Sequence, residues 1–185
     1  MVLKNVSYDH MDAETLLIII ARRCLTTRYV VPLGVKDWFV NDGGVPAEAI
    51  IEMDWWDERM FDCNSLSDNV LSKDYGGVKI TCVPAQHASA PAGIDANATL
   101  WAGFVVEQIS NEECDAPART AIYMSGDTGY RGAPGGKTCP AFKQIGEKFG
   151  PFDFSAIACW RGGTLSFFSK WGLKVRSPLH SQESN

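Results

Sequence analysis

Imidazoles are scarce in this chain: His10, His87 and His180 are the only histidines in 185 residues. Two of them have company that could do chemistry. His10 follows Asp9 in Tyr8-Asp9-His10-Met11-Asp12, so one nitrogen and one carboxylate oxygen are presented together. His87 closes Pro84-Ala85-Gln86-His87, at the end of a strand-like run. A third candidate, Asp127, lies in Ser125-Gly126-Asp127-Thr128-Gly129, where the glycines let the backbone come close to a ligand. Nitrogen and oxygen donors of this kind suit a zinc ion. Each signal alone has a plainer reading: Asp-His as a helix cap, His87 as an ordinary hydrogen-bonded side chain, and Gly-Asp-Thr-Gly as a turn. His180 reads as an exposed tail histidine and is not assigned to a metal.

These residues need elements to position them. Asp12 is a natural N-cap for a largely apolar helix over Ala13 to Cys24, expected to be buried on most of its surface. Arg28 to Leu33 is short, β-branched and closed by Pro32 and Gly34, as a buried strand would be. Val35 to Val40 reads as a short helix ending at Asn41-Asp42-Gly43-Gly44. Ile50 to Asp54 is a further strand, and Glu58 to Gly77 a loop or edge hairpin. Val78 to Val83, Leu100 to Gln108 and Thr120 to Met124 are strands. Pro140 to Phe149 is an amphipathic helix with Phe142, Ile145 and Phe149 on one stripe, followed by a strand over Phe154 to Ala158. Strands and helices alternate without repeats, which predicts an α/β layered domain. His87 and Asp127 then sit in loops leaving strand carboxyl ends, the usual place for ligands in such sheets.

Composition sets the outer bounds. The chain is 45% hydrophobic and 21% charged, enough apolar material for one domain over residues 1–185. A net charge of -5 and the lack of basic stripes argue against nucleic acid as a partner. Six cysteines without a CxxC pair read as reduced, intracellular thiols. The most apolar run, Leu16 to Ala21, is far shorter than the roughly 20 residues of a membrane-spanning helix, and no secretory signal is visible.

Several further runs, taken with these, resemble one family. They are Val31-Pro32-Leu33-Gly34 with Asp37-Trp38, Glu52-Met53-Asp54-Trp55-Trp56, Leu100-Trp101, Cys139-Pro140-Ala141-Phe142 and Phe149-Gly150-Pro151-Phe152-Asp153. With the Tyr8–Asp12, Pro84–His87 and Gly126–Tyr130 segments, they make the chain similar to the metallo-β-lactamase-fold phospholipases D that hydrolyse N-acylphosphatidylethanolamine. Trp160-Arg161-Gly162-Gly163-Thr164 looks like the fungal branch. The resemblance implies a four-layer αββα sandwich, here incomplete at both the N- and C-terminal ends, as in a fragment, with sheet edges left open. It also implies two zinc ions, held in the family by a His-x-His-x-Asp-His motif, a later His, a bridging Asp and a final His. Matched by position, Asp9 and His10 end the first motif, His87 is the isolated His, and Asp127 is the bridging carboxylate.

This chain departs from the pattern. Asn5 and Ser7 stand at the two leading motif histidines, and the final His has no counterpart before Asn185. One zinc would keep only His87 and Asp127, the other Asp9, His10 and Asp127, so at most one zinc ion is expected here. Ala90-Pro91 stands where the family often has an Arg, which puts any contact made by that Arg in doubt. The resemblance implies hydrolysis of N-acylphosphatidylethanolamine to an N-acylethanolamine and phosphatidic acid, impaired in this chain, with Asp127 bridging and Asp9 both ligand and proton acceptor. Asp9 and Asp127 are thus the candidate catalytic residues. The partner implied is a phospholipid, met by peripheral association with an organelle membrane or from the cytoplasm, with a homodimer allowed. Two alternatives stay open: another metallo-β-lactamase-fold hydrolase, acting on thioesters or other phosphoesters, and an inactive truncated isoform or pseudoenzyme. Trp38, Trp55 and Trp56 fit a lipid enzyme, although core packing is the commoner role of aromatics beside strands.

Overall fold

The computed structural model describes residues 13–23, 27–62, 75–87, 99–110, 119–131 and 136–158. Asp9, His10, Asn5, Ser7, His180 and the Trp160–Thr164 run lie outside them, as do four of the six cysteines; Cys82 and Cys139 are free thiols. The described elements are α1 (Ala13–Arg23), β1 (Tyr29–Pro32), α2 (Lys36–Asn41), β2 (Ile50–Met53), β3 (Glu58–Asp62), β4 (Tyr75–Pro84), β5 (Ala102–Ser110), β6 (Arg119–Gly126), α3 (Pro140–Phe149) and β7 (Phe154–Ile157), with a 3-10 turn at Ala47–Ala49.

Two sheets form. In the smaller, β1 and β2 pair in parallel, Tyr29 opposite Ile50 through Pro32 opposite Met53. In the larger, the order is β3-β4-β5-β6-β7, with β3 to β6 antiparallel and β7 parallel to β6. Alternation along the strands decides what each face covers. Val30, Met53, Ile80, Cys82, Ala102 and Phe104 fill the space between the two sheets. On the opposite face of the larger sheet, Val83, Val105 and Tyr123 meet Ile145 and Phe149 of α3. On the outer side of the smaller sheet, Leu16 and Ile20 of α1 and Phe39 of α2 pack with Tyr29, Val31 and Ile50. The layers therefore run helix, sheet, sheet, helix, which is the αββα arrangement expected.

The structure corrects several details. α1 is not buried on most of its surface: Leu17 and Ile18 are 44% and 48% exposed. Among its described side chains Leu16 and Ile20 are the ones buried in the core, so one stripe rather than the whole cylinder is covered. Of the two alternatives for Glu58 to Gly77, the edge hairpin is the one that agrees: Glu58 to Asp62 is an edge strand, paired antiparallel with Gly77 to Thr81. Its Glu58 joins Lys79 and Lys148, and this rim of charge blunts the open edge. Pro84 is the last residue of its strand rather than the first beyond it, and the first strand ends at Pro32, one residue short of Leu33. The three tryptophans do not form one cluster. Trp38, Trp55 and Trp56 pack against three different core groups, and Trp55 meets Trp101 edge to face at 5.9 Å between ring centroids. The core-packing role is what the structure displays for them.

Two fastenings set the frame. Glu52 on β2 accepts hydrogen bonds from the backbone N–H groups of Gly34 and Lys36, at 2.8 and 2.9 Å, and so fixes the start of α2. Asp153, just before β7, accepts from the N–H of Ala121 at 2.7 Å and donates its own N–H to the carbonyl of Ala121 at 2.9 Å, which pins β7 against β6. Trp56 has a φ of 73°, in the left-handed region, at the third position of the Asp54–Asp57 turn. That conformation costs an ordinary side chain about 1 kcal/mol or more. Packing of the indole against the α3 side of the sheet offsets it.

Candidate metal centre

Strand direction brings the candidate residues to one rim. β4 and β6 are both antiparallel to β5, and β7 is parallel to β6, so all three end at the same edge of the larger sheet. His87 follows the end of β4, Asp127 follows the end of β6, and Ala158 follows the end of β7. The smaller sheet delivers its own end there too: the N–H of Leu100, just before β5, donates to the carbonyl of Leu33, just after β1, at 2.9 Å.

The His87 and Asp127 loops are laced together directly. The N–H of Gln86 donates to Oγ1 of Thr128 at 2.8 Å, and the N–H of Gly129 donates to the carbonyl of Gln86 at 2.7 Å. A residue on either side of the clasp is therefore a candidate ligand. Gly126 has a φ of 57°, which only a glycine adopts without strain, and it turns the chain off β6 into the clasp. At Gly129 a Cβ would make close but ordinary contact, 3.4 Å from the carbonyl oxygens of both Gln86 and Arg131. Asp127 and Thr128 are buried, 8% and 7% exposed, and His87 is half-buried. Below them, Oγ of Ser125 donates to the carbonyl of Gly126 at 2.8 Å and accepts from the N–H of Ala158 at 3.2 Å, tying the rim to β7.

Of the four candidate ligands, the structure brings together the loops of His87 and Asp127, while Asp9 and His10 lie outside the described residues. Among the described residues, no group of three or more His, Cys, Asp or Glu side chains converges. The donors present fit a divalent cation in kind: a buried carboxylate and an imidazole on two cross-linked loops supply oxygen and nitrogen, and a buried charge of this sort is kept where it is paired or ligates a metal. Two residues that sequence reasoning did not single out are Gln86 and Thr128, which hold the loops in place through one backbone and one hydroxyl group. Thr128 was visible only as part of a turn motif, since nothing local says that its hydroxyl reaches residue 86.

A four-layer αββα sandwich with a histidine and a buried aspartate in loops at one sheet edge defines the class of α/β protein to which the chain belongs. Comparison with known proteins then fixes the family: the profile described as "Beta-lactamase superfamily domain" matches residues 2–171, and the chain belongs to that superfamily. It is 31% identical over 159 residues to the N-acyl-phosphatidylethanolamine-hydrolyzing phospholipase D 1 of Caenorhabditis elegans, covering 84% of this chain and 37% of that protein. An uncharacterized protein of Mycobacterium tuberculosis is 30% identical over 156 residues, 84% of this chain and 32% of its own. The mitochondrial N-acyl-phosphatidylethanolamine-hydrolyzing phospholipase D of Saccharomyces cerevisiae is 25% identical over 142 residues, 77% of this chain and 24% of its own. The chain thus spans about a quarter to about a third of the length of these relatives. Among the described residues, no helix is long and apolar enough to cross a membrane.

Proposed function

We propose that residues 1–185 form one partial metallo-β-lactamase domain of a phosphodiesterase of phospholipase D type, of the fungal-like branch, acting on N-acylphosphatidylethanolamine. The observation that carries this reading is the clasp between the His87 and Asp127 loops, which brings a half-buried imidazole and a buried carboxylate to one rim. The relatives in worm and yeast, whose names state that activity, support the choice of substrate.

Asp9, His10, His87 and Asp127 are the residues that would hold zinc. Bound there, zinc would supply Lewis acidity, polarising a phosphoryl oxygen and acidifying water. The chain's own residues do the rest. Asp127 presents its carboxylate from a loop that turns off β6 at Gly126 and is tied to the His87 loop through the hydroxyl of Thr128. Burial keeps its neighbourhood poor in water, so a charge beside it is felt strongly. Asp9 is the proton acceptor in this scheme. With Asn5 and Ser7 at two positions where the family has histidine, the chain holds no more than one zinc and hydrolyses its lipid slowly. The lipid is met by peripheral contact with an intracellular membrane.

Two measurements test the proposal: zinc per chain by elemental analysis, and release of N-acylethanolamine from vesicles containing N-acylphosphatidylethanolamine. We expect up to one zinc per chain, falling to background in Asp127→Asn with product release falling in parallel, and staying near the wild-type level in His87→Ala, whose own site keeps only two ligands. Two zinc ions per chain would overturn the single-site reading. Unchanged zinc in Asp127→Asn, or loss of the zinc in His87→Ala, would overturn the ligand set.

A further inference from the structure

Just beyond the clasp stands a cation that nothing in the fold neutralises. Other cations of the larger sheet and α3 have counter-charges: Lys79 and Arg119 share Glu107, Lys143 pairs with Glu147, and Lys148 with Glu58. Arg131 pairs with no carboxylate among the described residues. Its Nη1 donates to the carbonyl of Gly136 at 3.3 Å, a long contact to a neutral group, and its Nε is covered by protein yet donates to nothing. A guanidinium carries five N–H donors, so most of the fork is unused. A half-buried cation held without a counter-charge, with one donor shut off from water, is costly to keep. An anion at the open end of the fork would offset that cost.

The backbone places this side chain beside the candidate centre. Gly129 donates its N–H to the carbonyl of Gln86 at 2.7 Å, and the carbonyls of Gln86 and Arg131 flank the same side of Gly129. Arg131 in turn pairs with Thr138 as an antiparallel bridge, and the N–H of Cys139 donates to the carbonyl of Tyr130 at 3.1 Å. The guanidinium therefore springs from paired backbone one step from the His87 loop. The same pairing brings up the exposed Lys137 and the start of α3, which opens at Pro140 with no side chain capping it. A second cation and the positive end of a helix add to the potential that Arg131 sets there.

We propose that Arg131 is a specificity-determining residue that takes the anionic phosphoryl group of a phosphodiester at the His87–Asp127 rim. As a statement about substrate it rests on the hydrolase reading above. A phosphodiester offers two non-bridging oxygens, and the planar fork of an arginine meets two oxygens at once. Arg131 acts by binding and takes no part in metal ligation or proton transfer.

Glycerophosphoethanolamine, a soluble phosphodiester, and inorganic phosphate are the probes, each titrated into the full chain by calorimetry. The wild type should bind the diester saturably, and Arg131→Gln should bind it about 10–100-fold more weakly, the fold-change for losing a charge-assisted contact. Arg131→Lys keeps the charge without the fork and should fall between the two. Lys143→Gln removes a charge from an exposed place on α3 and should stay within about twofold of the wild type. Zinc content should be the same in all four proteins, and a circular-dichroism melt confirms that the variants fold. On vesicles containing N-acylphosphatidylethanolamine, Arg131→Gln should raise KM more than it lowers kcat. No saturable binding of the diester by the wild type, equal binding by Arg131→Gln, an equal loss in Lys143→Gln, or a loss confined to inorganic phosphate overturns the proposal. Diester binding that depends on Arg131, with no N-acylethanolamine released by the wild type, would sink the hydrolase reading and sustain the anion site. Release by the wild type with diester binding indifferent to Arg131 would sink this inference alone.

Discussion

Replacing Thr128 by valine tests whether the clasp between the His87 and Asp127 loops is what organises the rim. Valine keeps the shape and removes the oxygen that accepts from the N–H of Gln86 at 2.8 Å. Thr128 is 7% exposed, so water does not easily take the place of that oxygen. An N–H left unpaired in such a place costs about 1–3 kcal/mol, and Gln86 is only half-buried, which puts the expected loss at about 1–2 kcal/mol. In a domain of this size that corresponds to a fall in melting temperature of about 2–8 °C. The second strand of the clasp, from Gly129 to the carbonyl of Gln86, remains, so the loops loosen rather than separate. Residues that orient metal ligands without touching the metal typically change affinity about 10–100-fold, and the zinc affinity of Thr128→Val should fall within that range. Thr128→Ser keeps the oxygen and should recover most of both losses. Thermal melts followed by circular dichroism and zinc titration against a chelator read the two effects. Thr128→Val matching the wild type in both, or Thr128→Ser failing to recover either, would refute the reasoning.

Two further predictions concern the sheet beneath the rim. Glu107 is buried, with Lys79 at 2.8 Å and Arg119 at 2.7 Å. Burial alone raises its pKa, but hydrogen bonds and charge from Lys79 and Arg119 outweigh that and hold it below its ordinary 4.5. Its contribution to stability is therefore present above pH 4.5 and lost as pH falls through the lower folded value. Glu107→Gln should cost about 2–3 kcal/mol at neutral pH, because both cations retain some access to water, and should flatten the acid limb in urea melts across pH. At Gly103 on β5, an added Cβ would come 2.8 Å from the carbonyl oxygen of Met124 and 3.3 Å from Cα of Ser125. Gly103→Ala should therefore cost at least about 2 kcal/mol in the same melts, and a neutral result would mean that β5 and β6 lie further apart than described.

How much of this was legible beforehand follows from which interactions are local. Periods of 2 and 3.6 residues mark strand and helix directly, so Pro140–Phe149 was read to the residue, and β1, β2, β5 and β6 to within a residue or two. The failures have one cause, that a short window does not contain its neighbour. The apolar run of α1 predicts a buried helix, yet among its described side chains Leu16 and Ile20 are the buried ones. The polarity of Glu58–Asp62 leaves loop and edge hairpin both open, and the edge strand forms because β4 offers its edge.

For the candidate centre the division is the same. The amino-acid sequence by itself determined which groups exist, the Asp9-His10 pair, His87 and Asp127, and that two of them follow strands, because donor type and strand propensity are properties of the residues. Only the tertiary structure decided that the loops of His87 and Asp127 meet. That meeting depends on β4 and β6 both running antiparallel to β5, and on Thr128 reaching 42 positions back along the chain to Gln86.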